Sequence, residues 1–209
     1  GAHSSTTLNL DTSVGVVYKY SRVRSIEEAM ISKNVRDEMI FYATTNDYSD
    51  AGRYERCALE CKLDEKAREI GLVVKNLVDQ MPRLVIAVDI LETASATGLT
   101  ALGVKSELAR VGIRTCYTSL DKEKNLLDFA EERGRGDKFV QGDFESLPFA
   151  DAMFDIYLMM GAEGYRPNGR FYPEAYRVLR SGGYFVLPQI GPQPTVSEGE
   201  KSDATRAGF

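Results

Sequence analysis

"RLVIAVDIL" (83–91) runs into "ETASATG" (92–98) and then into "LTALGVKSELARVG" (99–112). The first piece is a near-continuous apolar run, as expected for a strand buried on both faces of a parallel sheet. The second is a loop of small residues opening on an acid. The third has helical spacing and ends at Gly112, a residue type suited to the position just past a helix. Such a loop, followed by a helix N-terminus, lets backbone N–H groups approach a polar ligand tail. Taken alone, it is equally an ordinary strand–helix turn.

Downstream, the alternation repeats. "IRTCYTSL" (113–120) reads as a strand and "DKEKNLLDFAEERG" (121–134) as a helix. Strands follow at "KFVQG" (138–142) and "FDIYLMM" (154–160), a helix at "FYPEAYRVLRSGG" (171–183) closing on a Gly-Gly turn, and a strand at "YFVLPQI" (184–190). This rhythm predicts an α/β protein with a doubly wound, mostly parallel sheet. Right-handed crossovers gather the strands' carboxyl ends on one edge, where ligands bind. Upstream, "SVGVVYKY" (13–20) is strand-like in composition. In "SIEEAMISKNVRDEMIFYA" (25–43), Ser25 and Glu28 have capping-box spacing, which predicts a helix. "TTNDYSDAG" (44–52) reads as a loop, and residues 53–81 as one or two helices.

Composition narrows the partners. The 209 residues carry a net charge of −5, with 43% hydrophobic and 27% charged residues, ordinary values for a soluble globular protein. Lys and Arg are scattered among Asp and Glu, so no nucleic-acid footprint is present and a small-molecule substrate fits better than a polyanion. No apolar run approaches the ~20 residues that cross a bilayer, so no membrane association is expected. The opening "GAHSSTTLNL" lacks a basic region followed by an apolar one, so no secretion signal is expected. "GAHSS" reads as an expression-tag remnant and holds His3, the only histidine; if it is vector-derived, histidine catalysis is excluded. Three cysteines, an odd number, point to a reducing cytoplasm and away from a disulfide framework. Cys57 and Cys61 share a helix face with no second ligand pair, so no metal is expected.

On the predicted ligand edge, Asp121 follows the second strand, where an acid can accept both hydroxyls of a ribose or cap the next helix. Asp143 ends the third strand, placed to accept from an exocyclic amine, and Phe144 beside it can lie against a purine. "LPFADAMFD" (147–155) explains itself equally as hydrophobes packing a loop.

These segments, with "GDFESLPFADAMFD" and "EAYRVLRSGG" in this order, resemble the class I S-adenosylmethionine-dependent methyltransferases of the type 11, small-molecule group. "GAEGYRPNGRFYPEAYRVLRSGG", with "FYATTNDYSDAGRYE" upstream, is similar more narrowly to the Williams–Beuren-region methyltransferase-like proteins. The resemblance covers roughly residues 40–190. It implies a Rossmann-like core (83–190) that binds S-adenosylmethionine, with S-adenosylhomocysteine as product. Before the core come an arm (1–24) and a helical lid segment (25–82), and after it a polar tail (191–209). Glu92 then matches the acid that orients the methionine amino group. Ala94, Ala96 and Gly98 match three loop glycines, and Asp121 the ribose acid. Asp143 and Phe144 match the adenine contacts, and Met160 to Ala162 lie beside the transferable methyl.

Two departures from that pattern carry expectations. Alanine at 94 and 96 adds a Cβ where glycine permits positive φ, a strain of about 1–3 kcal/mol that weakens cofactor binding without abolishing it. The segment 188–209 cannot supply the hairpin that normally completes a seven-stranded sheet, so the fold lacks its C-terminal hairpin and the last strand's edge would be bare. Either "SVGVVYKY" folds back onto that edge or a second subunit covers it, the latter a possible homodimer. Methyl transfer needs a base only if the acceptor must lose a proton. Candidates are Glu163 and the tyrosines Tyr42, Tyr48 and Tyr165, with Tyr42 and Tyr48 in the lid. Three readings stay open: a small-molecule methyltransferase, a catalytically inactive S-adenosylmethionine-binding protein, and a nicotinamide-dependent oxidoreductase, against which "GDFESLPF" argues.

Overall fold

The computed structural model describes residues 5–8, 17–20, 41–42, 45, 47–81, 87–160, 171–188 and 206. Five parallel strands form the centre: β3 (Ala87–Thr93), β4 (Arg114–Asp121), β5 (Lys138–Gln141), β6 (Phe154–Met159) and β7 (Leu179–Pro188). Two short strands, β1 (Ser5–Leu8) and β2 (Val17–Tyr20), complete a sheet of order β1-β2-β7-β6-β3-β4-β5. From β3 the chain winds outward through β4 and β5, then returns to the other side of β3 through β6 and β7. The order therefore reverses between β3 and β6, and a ligand crevice opens at such a reversal, outside the strands' carboxyl ends.

The described part of the apolar run, 87–91, is explained by burial: Ile90 and Leu91, on opposite faces, are both inaccessible to solvent. One face packs Val88, Ile90, Tyr117, Ile156 and Leu158 beneath α2 (Leu63–Asp79) and α3 (Leu99–Ala109). The other packs Leu91, Leu120, Tyr157 and Phe185 beneath α5 (Phe171–Val178) and the loop through Leu147. The two helices on the first face cross at glycines. A Cβ on Gly103 would lie 2.4 Å from the Ala67 carbonyl, and one on Gly71 would lie 2.7 Å from the Gly103 carbonyl. Only hydrogen at both positions allows that approach.

Residues 53–81 resolve into two helices. α1 (Ala51–Glu60) is capped by Asp50, whose side chain accepts the Arg53 amide, and α2 starts after Lys62, a left-handed residue with φ 59°. α4 (Lys124–Glu132) follows β4 as expected. The helix expected at 25–43 lies almost wholly outside the described residues.

Two expectations are corrected. The helix expected over 171–183 ends at Val178, and the strand begins at Leu179, not Tyr184. The backbone is claimed early: Ala152 and Met153 donate to the carbonyls of Arg177 and Val178, and Leu179 pairs with Phe154. The Gly-Gly pair therefore sits inside β7, where the register against β6 shifts and Gly182 has φ 77°. The far edge of β7 takes the first of the two covers expected for it, a strand from within "SVGVVYKY". β2 runs parallel along it, Val17 opposite Phe185, and β1 lies antiparallel outside β2. The sheet is completed from the N-terminal side, so that edge needs no second subunit. No described helix is long and apolar enough to cross a membrane.

Candidate functional site: the carboxyl edge between β3 and β6

The loop after β3 is the centre of the site. Ala94 and Ala96 hold left-handed backbone at φ 53° and 46°, and Gly98 at 77°. Alanine in that region costs about 1–2 kcal/mol per residue relative to right-handed backbone. The loop thus keeps the shape for which glycine is suited, strained at two of three positions. It is tied to the next strand: Ser95 donates its amide to the Leu120 carbonyl, and Ala96 donates to Asp121 Oδ2 at 2.8 Å. Asp121 Oδ1 accepts the Glu123 amide at 3.0 Å, which shapes the entry to α4. Asp121 thus closes the turn before the helix and grips the loop; Glu123 is the N-cap. The Asp121 carboxyl is pushed above the usual range, mainly by burial.

Glu92 is buried under the loop. Its Oε2 accepts the Tyr117 phenol at 2.9 Å, and the Thr100 hydroxyl bonds it as well. Burial pushes its carboxyl up to about 8. Met160 lies half-buried just past β6, its sulfur 3.8 Å from the Thr100 hydroxyl. Glu92, Thr100 and Met160 therefore cluster at the carboxyl ends of β3 and β6, with Asp121 at the end of β4 beside them.

Asp143 is exposed beyond β5, its Oδ1 accepting the Glu145 amide. Gly142 donates to the Asp121 carbonyl, which holds the two loops together. Phe144 is half-buried and meets Phe171 edge-on at 6.2 Å. Arg177 fixes the following loop through the carbonyls of Leu147 and Phe149 and the carboxylates of Glu174 and Asp151.

Tyr42, Tyr48 and Tyr54 cluster on the Asp121 side. Tyr42 stacks on Tyr48 at 5.3 Å, and Tyr54 of α1 meets both edge-on. The Tyr48 carbonyl accepts from Asn125 of α4. Burial raises the Tyr54 phenol above its usual range, and the Asp121 charge adds to the shift. Glu163 and Tyr165 lie outside the described residues. Tyr54, Tyr117, Asn125 and Arg135 escape a sequence reading. Only Tyr117 leaves a trace there, four residues before Asp121 and so on the same strand face.

A bound adenosyl-sulfonium fits this donor set. Among the described residues the buried Ser95 hydroxyl, inside the loop, has no hydrogen-bond partner, and the backbone already has the turns that such a ligand requires. No group of His, Cys, Asp or Glu that could hold a metal occurs among the described residues.

Residues 91–187 match the family described as "Methyltransferase domain". Over 101 residues the chain is 37% identical to the phthiotriol/phenolphthiotriol dimycocerosates methyltransferase 1 of Mycobacterium ulcerans, covering 47% of this chain and 37% of that protein. It is 37% identical to a fatty-acid O-methyltransferase of Mycolicibacterium smegmatis, covering 48% and 38%. It is 36% identical to a chloroplastic 2-methyl-6-phytyl-1,4-hydroquinone methyltransferase of Oryza sativa, covering 49% and 29%. The chain thus spans well under half the length of the curated relatives it matches. Its fold is shared with the methyltransferase domain of the citrinin polyketide synthase, at TM-score 0.53 and 22% identity over 68% of this chain and 38% of that one.

Within residues 91–187, therefore, the chain is similar to methyltransferase domains. That stretch, Leu91 to Leu187, includes the loop after β3 and Asp121.

Proposed function

We propose that this protein transfers a methyl group from S-adenosylmethionine to a small-molecule acceptor. The observation that carries the reading is the grip of Asp121 on Ala96, which sets an acid and a left-handed loop side by side at the sheet's reversal point. Glu92 would receive the methionyl amino group, the loop 94–98 the amino-acid tail, and Asp121 the ribose hydroxyls. Asp143 would accept from the adenine amine, with Phe144 beside the ring and Met160 near the reacting carbon.

The cofactor, when bound, supplies an already activated methyl group on a sulfonium. The chain's own work is to align the acceptor and exclude water, and alignment supplies most of the acceleration. Tyr54 and Tyr48 close the ribose side. Glu163 or Tyr48 takes a proton from the acceptor where the acceptor must lose one. The three relatives are named for acceptors that carry long apolar chains, which favours an apolar acceptor here as well. Three cysteines outside any disulfide suit a reducing cytoplasm.

Asp121→Ala is the test. It is expected to weaken S-adenosylhomocysteine binding about tenfold or more. Unchanged affinity by calorimetry removes Asp121 from the site, and no binding to the unaltered protein refutes the reading. Binding without methyl transfer across a panel of apolar acceptors would instead favour an inactive binding protein, the reading to which the strained Ala94 and Ala96 lend weight.

A further inference from the structure

Arg135 lies just past the left-handed Gly134 at the exit of α4, outside any helix or strand. Its guanidinium reaches two elements. Nη2 pairs with Glu55 Oε1 of α1 at 2.7 Å, and Nη1 donates to the Thr97 carbonyl at 2.9 Å. The ion pair is largely closed from water, with side-chain exposures of 14% and 10%. The Arg135 Cβ lies against the loop itself, since a Cβ added at Gly98 would come within 2.9 Å of it.

The loop that Arg135 touches is the one carrying Ala94 and Ala96 in left-handed backbone. Asp121 grips it at the Ala96 amide and Arg135 at the Thr97 carbonyl, so adjacent residues are held by an acceptor on one side and a donor on the other. Glycine occupies this backbone region readily, whereas alanine relaxes toward negative φ unless something holds it.

We propose that Arg135 is a positioning residue for the cofactor loop: anchored by Glu55, it holds Thr97 and keeps the alanine-bearing loop in the shape that glycines would otherwise favour. Seating of α1 and shaping of the loop are then a single event. The inference rests on the methyltransferase reading only for the identity of the ligand that the loop serves.

Four proteins test it: the unaltered chain, Arg135→Ala, the pair Ala94→Gly with Ala96→Gly, and all three changes together. The readouts are amide hydrogen exchange across 94–98 without ligand and the S-adenosylhomocysteine dissociation constant. In the alanine background, Arg135→Ala is expected to speed exchange and weaken binding, each about tenfold. In the glycine background, both effects are expected to shrink to about threefold or less. Equal losses in the two backgrounds would overturn the proposal, because Arg135 would then be a general stabiliser. Unchanged exchange in the alanine background would overturn it too. Should Arg135→Ala fail to fold, Arg135→Lys takes its place, since a single ammonium cannot span Glu55 and Thr97 in the same geometry. If the unaltered protein binds no S-adenosylhomocysteine, the cofactor reading fails, while the exchange data still decide the role of Arg135.

Discussion

Tyr117 donates its phenol proton to Glu92 across 2.9 Å, at a point in the sheet where neither side chain meets solvent. Burial holds the Glu92 carboxyl at about 8, with the Asp121 charge adding to the push and the Thr100 and Tyr117 bonds opposing it. An acid raised in this way keeps a proton in the folded state that the unfolded chain releases above 4.5. Its contribution to stability is therefore full below that value and is lost as pH rises toward about 8, at a limiting slope of about 1.4 kcal/mol per pH unit. Asp121, also raised, acts with the same sign. Glu92→Gln is expected to flatten the fall in urea midpoint between pH 5 and pH 8. The same fall in that variant would show that Glu92 ionises normally.

The same proton bears on binding. If Glu92 receives the methionyl ammonium, the cation favours the carboxylate and expels the proton at neutral pH. The heat of S-adenosylhomocysteine binding at pH 7 should then differ between Tris and phosphate by a large part of the difference in buffer ionisation heats. Equal heats in the two buffers would mean that no proton leaves.

Ala96 and Ala101 make a contrasting pair. Ala96 sits at φ 46° in the loop, while Ala101 is fully buried within α3. Ala96→Gly relieves about 1 kcal/mol of strain, which offsets the extra freedom of the unfolded chain. Ala101→Gly loses about 1 kcal/mol of helix propensity and leaves a gap. The melting temperature should hold or rise for the first and fall by several degrees for the second. A fall for Ala96→Gly equal to that for Ala101→Gly would show that position 96 is not strained.

The α2–α3 crossing gives a stability prediction. Gly103→Ala places a Cβ 2.4 Å from the Ala67 carbonyl, a rigid backbone atom, so the helices must separate. Overpacking of this kind costs about 1–3 kcal/mol, read as a lower urea midpoint. A midpoint unchanged within error would mean that the helices do not pack this closely.

The central strands were legible because each signal was local. The apolar run into β3, the helical spacing of α3 with Gly112, and Asp121 at the end of β4 all lie within short windows. The start of β7 was not: "RVLRSGG" has helical spacing and a glycine pair, and only pairing with Phe154, distant in the chain, draws Leu179 into a strand. Glu92 and Asp121 fall at the ends of β3 and β4 as read, because topology fixes where strands end, whereas Asp143 lies two residues past β5. Arg135 and Glu55 look like ordinary surface residues in sequence, and nothing local indicates that they meet. Tyr54 is hidden in the same way, as one aromatic in a helical pattern.

Lys62, the left-handed residue between α1 and α2, gives this architecture a lever. α2 is pinned against α3 through its glycine crossing, so α1 extends from that joint as a rod with Tyr54 and Glu55 far along it. Eight residues of helix make an arm of about 12 Å, and a tilt of about 5° at Lys62 displaces the Tyr54 end by about 1 Å. Backbone geometry at one exposed lysine thus sets where Tyr54 and Glu55 come to rest beside Asp121 and Arg135.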